Sequence, residues 1–123
     1  MTVRIGINGF GRIGRNFFRA LQQRDDDVEI VAINDIADKD NLIYLLKYDS
    51  VHGRFDGEVE ATEKGMKVNG KEIEMLNIKD PSDLPWAEKD VDVAVESTGV
   101  FRYREQLENH LEAGADKVIV TAP

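Results

Sequence analysis

The stretch Val3-Arg4-Ile5-Gly6-Ile7-Asn8-Gly9-Phe10-Gly11-Arg12-Ile13-Gly14 decides the fold. Its first part, Val3 to Ile7, reads as a strand. Its second part, Gly9 to Gly14, fits the pattern G-x-G-x-x-G. That hexapeptide is weak evidence alone. Directly after a strand and at the start of a helix, it has the context that a dinucleotide pyrophosphate requires. Gly9 allows the tight turn, Gly11 lets backbone approach a phosphate, and Gly14 lets the helix pack on the strand. The N–H groups of Gly11, Arg12 and Ile13 then face the phosphates at the positive end of the helix. A glycine turn without a ligand is the competing reading. Asn8, Gly9, Gly11, Arg12, Ile13 and Gly14 are therefore candidate cofactor contacts.

Working outward, apolar residues at Ile13, Phe17, Ala20 and Leu21 define one face of a helix from Arg12 to about Gln23. Val28 to Ile33 is a second strand, β-branched at four of its six positions. Asp35 follows it, 21 residues after Gly14. A carboxylate near this separation accepts hydrogen bonds from the adenosine ribose. It also disfavours a 2′-phosphate, since like charges about 4 Å apart repel by ~1 kcal/mol in water and ~4 kcal/mol at an effective dielectric of 20. The competing role for Asp35 is a cap or turn residue. Asn34 either supports the adenosine or forms an Asx turn. Asp38 is the expected N-cap of a helix through Asn41, Leu42, Leu45 and Leu46.

The region from His52 to Ile78 is a detour punctuated by glycines, with short strands at Val59–Ala61, Met66–Val68 and Glu72–Ile78. Asn69-Gly70 is a two-residue hairpin turn, and the last of these strands is expected to join the main sheet. Asp80-Pro81 opens a loop or helical turn near Leu84 and Trp86. Val91 to Val95 reads as a buried strand, Arg104 to Glu112 as a helix ended by Gly114, and Val118 to Val120 as a further strand. The expected fold is α/β: a Rossmann-type, doubly wound, mainly parallel sheet with a small hairpin excursion, one domain over residues 1–123. Ligands of such a sheet lie at the carboxyl ends of its strands, where strand order reverses. Ser97-Thr98-Gly99 and Thr121 end strands there, and the hydroxyls serve either the groove or as ordinary caps. Phe101 either walls the nicotinamide or belongs to the core. Arg12 either reaches a phosphate or is solvated.

Composition narrows the function classes. The 123 residues carry 16 basic and 24 acidic side chains, a net charge of −8, which disfavours nucleic acid and anionic membranes as partners. Asp25-Asp26-Asp27 reads as a solvated turn. No apolar run reaches membrane-span length and no secretory signal pattern opens the chain, so the expected compartment is the cytoplasm. With no cysteine there is no disulfide, thiolate metal site or thiol nucleophile. His52 is assigned a structural role, and His110 the role of a half-exposed surface histidine.

Longer motifs resemble glyceraldehyde-3-phosphate dehydrogenases. Ile7 to Arg15, Ala32-Ile33-Asn34-Asp35, Leu45 to Phe55, Glu96 to Phe101 and Gly114 to Pro123 match that family in order and position. The resemblance covers nearly all of the chain. It implies NAD contacts at Arg12, Ile13, Asp35, Lys79 and Thr121, and a cytoplasmic homotetramer working in glycolysis. A relative acting on erythrose 4-phosphate shares much of this half. The family's second domain supplies the catalytic cysteine, an activating histidine and substrate phosphate pockets. None of these is in the 123 residues, so the chain alone is expected to bind NAD without turnover. Its partners are expected to be NAD and either further copies of itself or a catalytic domain.

Overall fold

The computed structural model describes residues 3–22, 27–49, 53–54, 58–80, 83–98 and 104–120. Its centre is a seven-stranded sheet. In chain order the strands are β1 (Val3–Asn8), β2 (Val28–Asn34), β5 (Val59–Ala61), β6 (Gly65–Val68), β7 (Lys71–Leu76), β8 (Val93–Glu96) and β9 (Lys117–Val120), arranged β5-β6-β7-β2-β1-β8-β9. From β7 to β9 all pairs are parallel. The excursion β5-β6-β7 is an antiparallel meander continuous with this sheet. Its tight turn is Asn69-Gly70, with φ of 51° and 86°, the left-handed pair that an Asn-Gly hairpin needs. Tyr48–Asp49 (β3) and Gly53–Arg54 (β4) form a separate antiparallel pair that sequence periodicity does not reveal.

Three helices connect the described strands: α1 (Arg12–Gln22), α2 (Lys39–Lys47) and α3 (Arg104–Glu112). Asp38 caps α2, its carboxylate accepting from the Asn41 N–H at 3.2 Å. Gly114 follows α3 with φ 118°, a conformation that favours glycine after a helix.

Alternation along β1 divides the core. Ile5 and Ile7 face α1 and α2, joining Phe10, Phe18, Ile30, Ile33, Leu42, Ile43, Leu46 and Val95. Gly6 points to the other face, where Trp86 packs; a Cβ at Gly6 would lie 2.6 Å from the Trp86 ring. Gly6 is in register with Ala32 of β2 and Ala94 of β8. These small residues form a shallow bed for a fully buried indole, closed by Leu84, Val91, Ala113 and Ala115.

Three expectations change. On α1 the fully buried apolar residue is Phe18, while Ala20 is exposed. Helix phase is set by Gly14 against the Gly9 carbonyl and by Phe18 meeting Phe10 edge-on at 5.8 Å. The strand expected at Val91–Val95 is Val93–Glu96. Asp90 takes φ 53° and the Val91 N–H donates back to Trp86 O, so Val91 closes a turn. His110 is fully buried, contrary to the surface role expected of it, because both ring nitrogens have buried partners.

A candidate dinucleotide groove at the strand ends

β1 lies between β2 and β8, so the chain reverses its direction of travel across the sheet beside β1. At the carboxyl ends of these strands is a groove of about 430 Å³, lined by Asn8, Gly9, Gly11, Asn34, Asp35, Ile36, Ile78, Lys79, Ser97 and Thr98. Asn8, Gly9, Gly11, Asn34, Asp35, Lys79 and Thr98 are candidates from the sequence. Arg12, Ile13 and Gly14 occupy the first turn of α1 beside the groove rather than its lining. Gly99, Phe101 and Thr121, like His52, lie outside the described residues. Ile36 and Ile78 had no individual sequence signal; the turns following β2 and β7 bring them in, while Ser97, read from the sequence as a hydroxyl at a strand end, lines the groove beside Thr98.

The glycine turn has the required shape. Gly9 adopts φ 101°, and a Cβ there would lie 2.7 Å from the Thr98 nitrogen. A Cβ on Gly14 would lie 2.2 Å from the Gly9 oxygen, so only glycine lets α1 start this close to β1. Gly11 would meet nothing within 4 Å, leaving open space above the helix start. The first intrahelical bond is Arg15 N to Gly11 O at 2.9 Å, so helix geometry gives the preceding N–H groups no intrahelical acceptor. These residues fit a pyrophosphate, which needs N–H donors and bare backbone.

Asp35 at the end of β2 performs two tasks. Its Oδ2 accepts from the Phe10 N–H at 2.7 Å and its Oδ1 from the Ala37 N–H at 2.9 Å. The first bond ties the glycine turn to β2, reinforced by Gly9 N–H to Asn34 O at 2.7 Å. Each carboxylate oxygen has about two acceptor sites, so capacity for ribose hydroxyls remains. Asn34 forms no Asx turn. Its Nδ2 donates to Asn8 Oδ1 and to Ile78 O, both at 2.8 Å, and its Oδ1 accepts from Ile78 N at 2.8 Å. It therefore fixes the groove floor.

Beneath the floor lies Glu96, fully buried. Its Oε1 accepts from Asn8 Nδ2 at 2.8 Å and meets His110 Nε2 at 2.8 Å. Its Oε2 accepts from Thr98 N at 3.0 Å and Thr98 Oγ1 at 2.5 Å. Burial pushes its carboxyl up, but hydrogen bonds from His110, Thr98 and Asn8 outweigh burial and leave the pKa below the ordinary carboxylate value. With its proton committed to Glu96, the Thr98 hydroxyl can only accept from a ligand.

A glycine turn, an acidic residue on the next strand and a groove at the switch point define a dinucleotide-binding domain of the Rossmann type. A family model described as glyceraldehyde 3-phosphate dehydrogenase, NAD binding domain, matches residues 3–104, and the chain belongs to that family. Its cofactor is NAD. Similar proteins include glyceraldehyde-3-phosphate dehydrogenases of Thermotoga maritima, 57% identical over 98% of this chain, and of Geobacillus stearothermophilus, 56% identical over all of it. Glyceraldehyde-3-phosphate dehydrogenase A of Escherichia coli K12 is 54% identical over the whole chain. The chain spans 36–37% of the length of these relatives.

Proposed function

We propose that the groove holds NAD extended across the ends of β2, β1 and β8, as the cofactor half of a phosphorylating glyceraldehyde-3-phosphate dehydrogenase. The observation that carries this reading is the Asp35 carboxylate at the rim, beside a helix start with open space above Gly11. The N–H groups from Gly11 to Gly14, with Arg12 and Ile13 on the same turn, take the pyrophosphate. Asp35 takes the adenosine ribose hydroxyls. Ile36, 67% exposed at the groove, offers an apolar platform for the adenine. Lys79 supplies a cation and Thr98 an acceptor, while Asn8 and Asn34 set the floor. Gly99, Phe101 and Thr121 are further contacts, on the strength of the sequence.

Bound NAD supplies a hydride acceptor; the chain's own residues orient it. Residues 1–123 form one cofactor domain and contain no cysteine, so a thiolate for aldehyde oxidation has to come from outside them. The 123-residue chain alone is inactive in this reading. We assign it to glycolysis in the cytoplasm, as part of a homo-oligomer; a similar Trypanosoma brucei protein is named cytosolic. The net charge of −8 disfavours nucleic acid and anionic membranes as partners.

Calorimetry with NAD, NADP and ADP-ribose tests this reading. NAD is expected to bind with a Kd between ~10 μM and ~1 mM, about −7 to −4 kcal/mol, with ADP-ribose nearly as tight. Asp35→Ala should weaken NAD binding and narrow the preference over NADP. Loss of the Phe10 bond loosens the turn for both cofactors, so the ratio isolates the ribose contact. An unchanged NAD-to-NADP ratio would show that another residue sets specificity.

A further inference from the structure

One row of the sheet is polar, and it lies directly under the groove. Asn8 is in register with Asn34 on β2 and with Glu96 on β8. These positions are two residues beyond Gly6, Ala32 and Ala94, so their side chains leave the sheet on the Trp86 face. They join side by side: Asn34 Nδ2 to Asn8 Oδ1, and Asn8 Nδ2 to Glu96 Oε1. From α3, His110 completes the row. The Trp86 indole can only donate, and its Nε1–H reaches His110 Nδ1 at 3.0 Å. The ring proton of His110 therefore sits on Nε2 and is donated to Glu96.

Glu96 thus holds two parts of the groove at once, Asn8 on the floor through Oε1 and Thr98 on the wall through Oε2. A buried carboxylate with so many donors has one comfortable arrangement, because a missing donor leaves charge unsolvated. We propose that Glu96, held by His110, is a positioning residue for the dinucleotide, fixing Asn8 and Thr98 relative to each other and linking the occupied groove to Trp86 and α3. This rests on the reading that the groove binds NAD. Glu96 itself is buried and absent from the groove lining, so it acts through its neighbours.

Trp86 is the chain's single tryptophan, so its indole N–H gives one resonance. The experiment follows that resonance while ADP-ribose is titrated into the 123-residue chain, with calorimetry in parallel. Trp86 is expected to shift and saturate at the calorimetric Kd although it does not line the groove. Glu96→Gln places an amide –NH2 against existing donors; it should bind about tenfold more weakly and uncouple Trp86 from the ligand. His110→Gln keeps a donor toward Glu96 and should bind within about twofold of the parent, whereas His110→Leu should resemble Glu96→Gln. Folding of each variant is checked by circular dichroism. Saturable binding that leaves Trp86 unmoved in the parent chain overturns the proposal without any variant. So does a folded Glu96→Gln that binds as the parent does. A parent chain that binds no nucleotide overturns the NAD reading and this inference together.

Discussion

Glu96 is a fully buried carboxylate at the end of an apolar strand, and its surroundings explain why it is tolerated. An isolated ion there would be strongly destabilising, but His110, Asn8 and Thr98 direct donors at both oxygens. Its folded-state pKa is therefore depressed, despite burial acting the other way. The sign of the linkage follows. The stabilisation is present above the unfolded value of about 4.3 and is lost as pH falls through the lower folded value. Thermal melting across acid pH should show the parent chain losing stability below about pH 4.3 faster than Glu96→Gln, which has no carboxyl to protonate. Near neutral pH the variant should be less stable, by about 1–3 kcal/mol, since an amide cannot accept from all these donors. Parallel melting curves through the acid range would show that Glu96 contributes no linkage.

Among the strands, β1 carries two opposite demands: Ile5 and Ile7 fill one core while Gly6 leaves space for Trp86 in the other. Gly6→Ala would put a methyl 2.6 Å from the ring, flanked by Ala32 and Ala94 with no room to move aside. Overpacking of this kind destabilises by about 1–3 kcal/mol, so the urea midpoint should fall; an unchanged midpoint would show that the Trp86 face yields freely. The sequence could not announce this contact, because it joins residues far apart in the chain. For the same reason the burial of His110 was not legible, since its partners Trp86 and Glu96 come from other elements. On α1, periodicity gives a face, but packing against the glycine turn and Phe10 decides its phase. Where the signal is local, the elements were legible. Asp38 caps α2, Asn69-Gly70 turns the hairpin, and Gly114 follows α3. The groove was legible through its glycine turn and Asp35, since a tight strand-to-helix turn and an acidic residue ending the next strand are both local patterns. The role of Glu96 was not legible, because its only local cue is a carboxylate ending an apolar run.

At the scale of the whole molecule, the two margins of the described sheet are unequal. β5 is three residues long, with Glu60 exposed, and a short charged edge resists further pairing. β9 carries exposed Ile119 at 49% and Val120 at 41%, and nearby α3 carries Leu111 at 44%. In the described sheet β9 pairs only with β8, so its other side presents backbone N–H and C=O groups beside apolar side chains. Lys117 is the one charged residue of this strand. An edge of this kind favours pairing with another chain, and the net charge of −8 opposes unlimited growth. A preparation of these 123 residues is therefore expected to form dimers or small oligomers at micromolar concentration, through β9. Light scattering should give a mass above one protomer. Ile119→Lys, which charges the exposed edge without touching the groove, should shift the population toward monomer while leaving NAD affinity unchanged. A parent chain that scatters as a clean monomer would rule out association through this edge. An Ile119→Lys chain that stays oligomeric would place the contact on another surface.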